Sequence, residues 1–237
     1  MNTSKKKNIN ERPEFRALVL HFNTIEKNNI KEQFKIAERL VQLAWNSGTD
    51  HLHDAYTIYF EVVKQLNDKD LITDTEIKIA LVNGLINRKP EEEIYLFVEN
   101  AHFEIKNIEI KKTMVTLSNV TKNYGQPVKK EEIGDECGVY FNNTFYTYSD
   151  MILSVDENKN LAELVTVFIN ENNQFIINDN AILDSNITER DFINRYSQYF
   201  FFDNQNPHVY TLVTSDGGYN IEFKNGALYL VNLFYLC

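Results

Sequence analysis

Over the first ninety positions apolar residues recur every three or four places, the spacing that gathers them on one face of an α-helix. Pro13 stands where a first helical turn would begin, and Phe15, Leu18, Val19, Phe22 and Ile25 follow it, which predicts a helix over 13–27. A second stripe runs through Ile30, Phe34, Ala37, Leu40, Val41, Ala44 and Trp45 and stops at Asn46-Ser47-Gly48. A third runs from Leu52 to Leu66. A fourth is opened by Thr73 with Glu76 three residues on, a capping-box spacing, and carries Ile77, Ala80, Leu81 and Leu85 before Pro90. The four stripes, behind a disordered polar tail, predict a helical module over 1–93.

Past Pro90 the period shortens to two. Ile94, Leu96 and Val98, then Phe103, Ile105, Ile108 and Ile110, alternate as half-buried strands do. A short helix is expected from Thr116 to Tyr124, stopped by Gly125-Gln126-Pro127. Strands are expected at 139–141, 145–148, 152–155 and 161–169, with a turn from Asp156 to Asn160 between the last two. The same order then recurs, with strands at 175–177 and 181–183, a helix over 188–196, and strands at 208–214, 219–223 and 227–235, the last two joined at Lys224-Asn225-Gly226. The expected fold is therefore α+β, an N-terminal helical module followed by a mostly antiparallel β-sheet domain over 94–237. The recurrence suggests two tandem helix-plus-meander repeats, 94–172 and 173–237.

Charge separates the halves further. Of the net −10 of the chain, residues 1–130 contribute +2, whereas residues 131–237 set 16 acids against only Lys159, Arg190, Arg195 and Lys224, a net of −12. Such a field repels phosphate backbones and attracts basic surfaces, so nucleic acid is not an expected partner. Lys5-Lys6-Lys7 has no apolar stretch behind it and no run approaches a membrane span, so neither a secretory leader nor a membrane contact is expected, and the expected location is the cytoplasm.

Candidate chemistry is sparse. His51-Leu52-His53-Asp54 sits at the start of a predicted helix, where residues two apart diverge, and reads as exposed polar side chains rather than metal ligands. Cys137 and Cys237 are too few for a disulfide framework or a four-ligand metal site. The glutamate beside Cys137 works against a thiolate nucleophile. Asp150, Asp156, Glu163, Asp203 and Asp216 offer carboxylate pairs with no distinguishing spacing and read as solvated turns and strand faces. Asp216-Gly217-Gly218 lacks the following helix of a phosphate-binding loop. No catalytic residue, metal or cofactor is expected, and the chain does not read as an enzyme.

The remaining signal is aromatic. Of the 30 Phe, Tyr and Trp residues, 19 lie in 131–237. Tyrosines exposed among acids make a protein-binding surface, because a tyrosine brings large contact area at low entropic cost. The expected partner-binding residues are Tyr146, Tyr148, Asp150, Asp203, Tyr210 and Asp216, with Tyr219 a further tyrosine open to either side of the sheet.

Several stretches carry a resemblance. Phe103-Glu104-Ile105, Ile108-Glu109-Ile110, Val120 through Tyr124-Gly125-Gln126-Pro127, Tyr146-Thr147-Tyr148-Ser149-Asp150, Ile152-Leu153-Ser154-Val155 and Leu164-Val165-Thr166-Val167 together resemble the helix-plus-antiparallel-sheet modules of bacterial immunity proteins. These accompany toxins of polymorphic and type VI secretion systems, and related architecture occurs in beta-lactamase-inhibitor-like proteins. The resemblance spans about 94–170 and, less closely, 173–237. It departs from the family at Tyr148-Ser149-Asp150, where a tryptophan-aspartate pair is common, and the N-terminal helices have no counterpart. It implies a protein that binds a cognate toxin with a basic surface and occludes its active site without catalysis. The other readings are an enzyme with a carboxylate-lined pocket on the C-terminal sheet, and a helical scaffold for partners.

Overall fold

The computed structural model describes residues 13–46, 51–105, 108–110, 114–132, 144–178, 180–202, 206 and 208–235. The N-terminal tail, the strand expected at 139–141, both cysteines and Asp203 lie outside the described residues. The chain divides into two compact units, Met1–Arg88 and Lys89–Cys237.

The first unit is four helices, α1 (Pro13–Thr24), α2 (Ile30–Trp45), α3 (Leu52–Leu66) and α4 (Lys69–Ile86). Asn29 caps α2 reciprocally: its side-chain oxygen accepts from the Glu32 amide at 3.4 Å, and its side-chain amide donates to the Glu32 carboxylate at 2.6 Å. The fourth helix starts a turn earlier than its Thr73 signal implies. Asp68 accepts from the amides of Asp70 and Leu71, both at 3.1 Å, while Thr73 lies inside the helix and donates to the Lys69 carbonyl. Phe15, Leu40, Ala44, Leu52, Tyr56 and Val82 form the buried seam of this unit, with the Trp45 indole N–H donating to the Tyr56 hydroxyl at 3.0 Å. His51 stacks on Phe15 at 4.6 Å and is half-buried, a packing role rather than the exposed polar one expected of it.

The second unit opens with a correction. Residues Glu91–Val98 form a helix, α5, where alternation had suggested a strand. Ile94, Leu96 and Val98 satisfy a period of two, but Ile94 and Val98 are also four apart, and only these two are buried in the helix. Glu91, Glu92 and Glu93 place negative charge in the first turn, where the helix dipole favours it, and Pro90 fits a helix start. Phe97 anchors α5 by stacking on Tyr199 at 4.0 Å.

Strands β1 (His102–Ile105) and β2 (Ile108–Ile110) then form a hairpin, and β3 (Met114–Thr116) leads into α6 (Leu117–Tyr124). A meander follows of β4 (Lys129–Glu132), β5 (Thr144–Thr147), β6 (Met151–Asp156) and β7 (Leu161–Phe168). The order repeats as hairpin β8 (Asn173–Asn178) and β9 (Ala181–Leu183), helix α7 (Glu189–Tyr196), and meander β10 (Phe201–Phe202), β11 (Val209–Val213), β12 (Gly217–Lys224) and β13 (Ala227–Tyr235). Strand β4 escapes sequence reading because Lys129-Lys130-Glu131-Glu132 has no apolar position. It is an edge strand, where charge is normal.

The two hairpins join in the order β2-β1-β8-β9, and the two meanders in the order β4-β5-β6-β7-β13-β12-β11-β10, every pairing antiparallel. Each sheet therefore presents the same sequence of elements from either end, as a two-fold arrangement of the halves requires. At the hairpin seam Phe103 lies opposite Phe175, with ring centroids 4.8 Å apart. At the meander seam Thr166 lies opposite Asn232, the threonine hydroxyl donating to the amide oxygen at 2.8 Å. Local details repeat as well. Helices α6 and α7 each follow a threonine and end in a tyrosine. Their first amides, of Leu117 and Glu189, donate to the carbonyls just before β7 and β13, of Asn160 at 3.1 Å and Gly226 at 3.0 Å. Strand β3 pairs with the start of β7, and Thr188 makes the corresponding bridge to Ala227 at the start of β13.

Tyr219 joins the sheets by packing against Phe103 and Phe175. Phe192 of α7 fills the second half with Phe200, Tyr210 and Phe223 around it.

Candidate binding groove

Of the six residues expected to form an acidic, tyrosine-bearing surface, four of the five described ones are buried. Tyr146, Tyr148 and Tyr210 are only 3%, 4% and 2% exposed, and Asp150 only 7%. Pleating explains the direction, since alternate side chains must enter the core, and the neighbours explain the retention. Lys130 lies over the Tyr146 ring at 4.3 Å and donates to its hydroxyl at 2.6 Å. Tyr148 packs edge-on against Tyr124. Burial raises the pKa of Tyr148, and that of Tyr219, which is half-buried and also feels the Asp216 charge. Asp203 lies outside the described residues, and among the described members of the expected set Asp216 is the exposed one.

Two carboxylates read as solvated turn or strand-face groups, Asp150 and Glu163, are interior ones. Glu163 accepts from the Tyr235 hydroxyl at 2.5 Å. Asp156 stays at its turn, where the Lys159 amide donates to it at 3.0 Å and holds its pKa below the usual carboxylate range. A further buried carboxylate, Glu189, went unread because an acid after a threonine looks like an ordinary first-turn residue. It accepts from the Tyr210 hydroxyl at 2.5 Å, and the His208 Nδ1 lies 2.8 Å from it. Burial, then that hydrogen bond, drives the Tyr210 pKa far upward. Among the described residues no three His, Cys, Asp or Glu side chains are grouped to hold a metal ion, and no helix is long and apolar enough to cross a membrane.

The concavity that joins exposed apolar surface to acid lies elsewhere in the second unit. A groove of about 490 Å³ runs between α5, the turn joining β11 to β12, and the end of β13. Helix α5 contributes Tyr95 and Leu96, and its C-cap residue is Glu99, all three exposed, with Leu96 at 67%. Because Ile94 and Val98 hold the opposite face in the core, Leu96 must look outward. The turn contributes Asp216, whose carboxylate accepts from the Thr214 hydroxyl at 3.1 Å, and the glycines after it. A Cβ at Gly217 would lie 2.1 Å from the Phe234 carbonyl oxygen, and one at Gly218 2.2 Å from the Leu212 oxygen, so only glycine lets this backbone close on its neighbours. Phe234 and Tyr235 line the far wall. Among the described residues the lining includes two carboxylates, Glu99 and Asp216, and no Lys, Arg or His.

The first half holds the counterpart of this turn. Tyr148-Ser149-Asp150 joins β5 to β6 as Thr214-Ser215-Asp216 joins β11 to β12. Each is closed by one backbone bond, from Tyr148 to the Met151 carbonyl at 2.8 Å and from Thr214 to the Gly217 carbonyl at 2.9 Å. In the first half Asn170, just past β7, donates its side-chain amide to the Asp150 carboxylate at 3.3 Å, and the Phe168 amide donates to the Asp150 carbonyl at 2.9 Å. Burial and the nearby Asp150 charge together raise the pKa of Tyr124 to about 12. The same Ser-Asp turn is thus closed over in one half and lines a groove in the other. No family model, curated protein or solved structure matches the chain.

Proposed function

We propose that the protein is a non-catalytic inhibitor, an immunity protein that binds a cognate bacterial toxin with a basic surface and covers its active site. The observation behind this reading is the groove on the second unit, where exposed Leu96 and Tyr95 stand beside Glu99 and Asp216 with no basic residue among the described lining residues. Exposed apolar and aromatic groups are what a partner desolvates, and carboxylates without a local countercharge favour a partner that brings one. The net −12 of residues 131–237 supplies long-range attraction, which raises association rates toward a basic partner. Glu163 and Glu189, bonded to tyrosine hydroxyls inside the sheet domain, have structural tasks that need no substrate.

The test is co-expression in bacteria with the product of the adjacent reading frame. Protection of growth, with a purifiable complex whose association slows as salt rises, is the expected result. Toxicity that persists despite co-expression, or turnover of a substrate by the isolated protein, would overturn the reading.

A further inference from the structure

The two-fold arrangement of the second unit carries information about what the groove binds. Where the turn is closed over, Asp150 receives a side-chain N–H from Asn170, so the fold already contains one solution to covering this carboxylate. Asn170 is a neutral donor. The groove beside Asp216 differs in two respects that bear on its occupant. A second carboxylate, Glu99, lines the same concavity, and the rings of Tyr95, Tyr219, Phe234 and Tyr235 line it too. Covering two carboxylates with a neutral donor would leave negative charge desolvated and uncompensated, a costly arrangement. A cationic group on the partner would offset that charge, and the rings favour one type. A guanidinium is planar, weakly hydrated and able to lie on aromatic faces while forking onto a carboxylate, whereas an ammonium is a strongly hydrated point charge.

We infer that the groove is an arginine pocket: an arginine side chain of the partner enters it, sets its guanidinium on the Asp216 carboxylate with Glu99 as second countercharge, and lays its aliphatic stem against Leu96. The inference rests on the reading of this groove as the partner-binding surface and names the residue that anchors there. Gly217 and Gly218 serve it by keeping the turn free of side chains. Their amides are also natural reporters, since they belong to the groove wall.

The probe is N-acetyl-arginine amide, titrated into the full-length protein while the backbone amide resonances are followed by NMR. Saturable shifts at Gly217 and Gly218 are expected. The neutral isostere N-acetyl-citrulline amide should bind at least about tenfold more weakly, because it removes the charge from the hydrogen bond. Asp216→Asn and Glu99→Gln should each weaken the arginine probe at least about fivefold, while Glu171→Gln, an exposed acid outside the groove, should leave it unchanged. Equal binding of the citrulline or lysine analogue, shifts that map outside the groove, or an equal loss in Glu171→Gln would each overturn the inference. The two proposals fail separately. If the probe binds as described while no toxin is neutralised, the immunity reading falls and the arginine pocket stands. If a toxin is neutralised with an affinity indifferent to Asp216→Asn and Glu99→Gln, the pocket falls and the immunity reading stands.

Discussion

Two turns of the second unit, Tyr148-Ser149-Asp150 and Thr214-Ser215-Asp216, occupy the same place in the same topology and have opposite fates. The first is sealed by Asn170, and its aspartate is interior. The second lines a groove, and its aspartate is solvated. The residues after them follow suit. Met151 is a fully buried side chain, whereas Gly217 has no room for one. The helices of the two halves differ likewise, with Phe192 of α7 at the centre of an aromatic cluster and Val120 of α6 in the corresponding place. One half has its interior filled by the chain itself, and the other combines a heavily packed helix with an unfilled margin. A repeated topology thus divides the work, one copy supplying scaffold and the other presenting surface.

Substitutions at matching places in the two halves should have unequal effects, the largest at the packed helices. Phe192→Ala should cost about 3–5 kcal/mol in urea unfolding, the range for emptying a fully buried aromatic site, and Val120→Ala only about 1–2 kcal/mol. Equal losses would mean that the two helices bear equal loads.

Met151→Ala should lose about 2–4 kcal/mol by leaving a cavity, and Gly217→Ala about 1–3 kcal/mol for the opposite reason, a Cβ forced against the Phe234 oxygen. Thermal unfolding of both variants checks this, and a Gly217→Ala protein as stable as the parent would show that the turn has slack.

Asp150→Ala should cost about 1–3 kcal/mol because the Asn170 amide is left without its acceptor, while Asp216→Ala should stay within about 0.5 kcal/mol. Matching values for the two would remove the distinction between a sealed turn and an open one.

The remaining effect appears only in alkaline solution. Tyr124 ionises at about 12 in the folded protein and near 10 when unfolded, so the folded state holds its proton more tightly. Stability from this group is full below pH 10 and is lost as pH rises toward 12. A tyrosinate absorbance titration should show this component, Tyr124→Phe should remove it, and Asp150→Asn should move it to lower pH. An unmoved titration in Asp150→Asn would leave burial as the whole cause.

Much of this architecture was legible in the chain, and the reason is that periodicity is local. The stripes from Phe15 to Leu66 specified three helices, and the meander 144–168 was visible because strand residues alternate against a core on one side. The recurrence of a threonine-led, tyrosine-ended helix before a meander foreshadowed the matching strand orders. Legibility failed where a short pattern fits two periods, as in Ile94, Leu96 and Val98, and where an edge strand has no apolar face, as in Lys129–Glu132.

The candidate site was hardly legible at all. Leu96 was counted among strand residues and Glu99 carried no signal, and their place in a groove with Asp216 depends on elements more than a hundred positions apart. The pairing of Glu189 with Tyr210 spans 21 residues, and that of Glu163 with Tyr235 spans 72. By itself the sequence determined most of the elements, their order and the excess of acid in the second half, since these depend on residue type and near neighbours. Which carboxylates and tyrosines face water was decided only by tertiary structure. Two Ser-Asp turns with the same local chemistry differ because an asparagine 20 residues along closes over one of them, and no property of the dipeptide records that meeting.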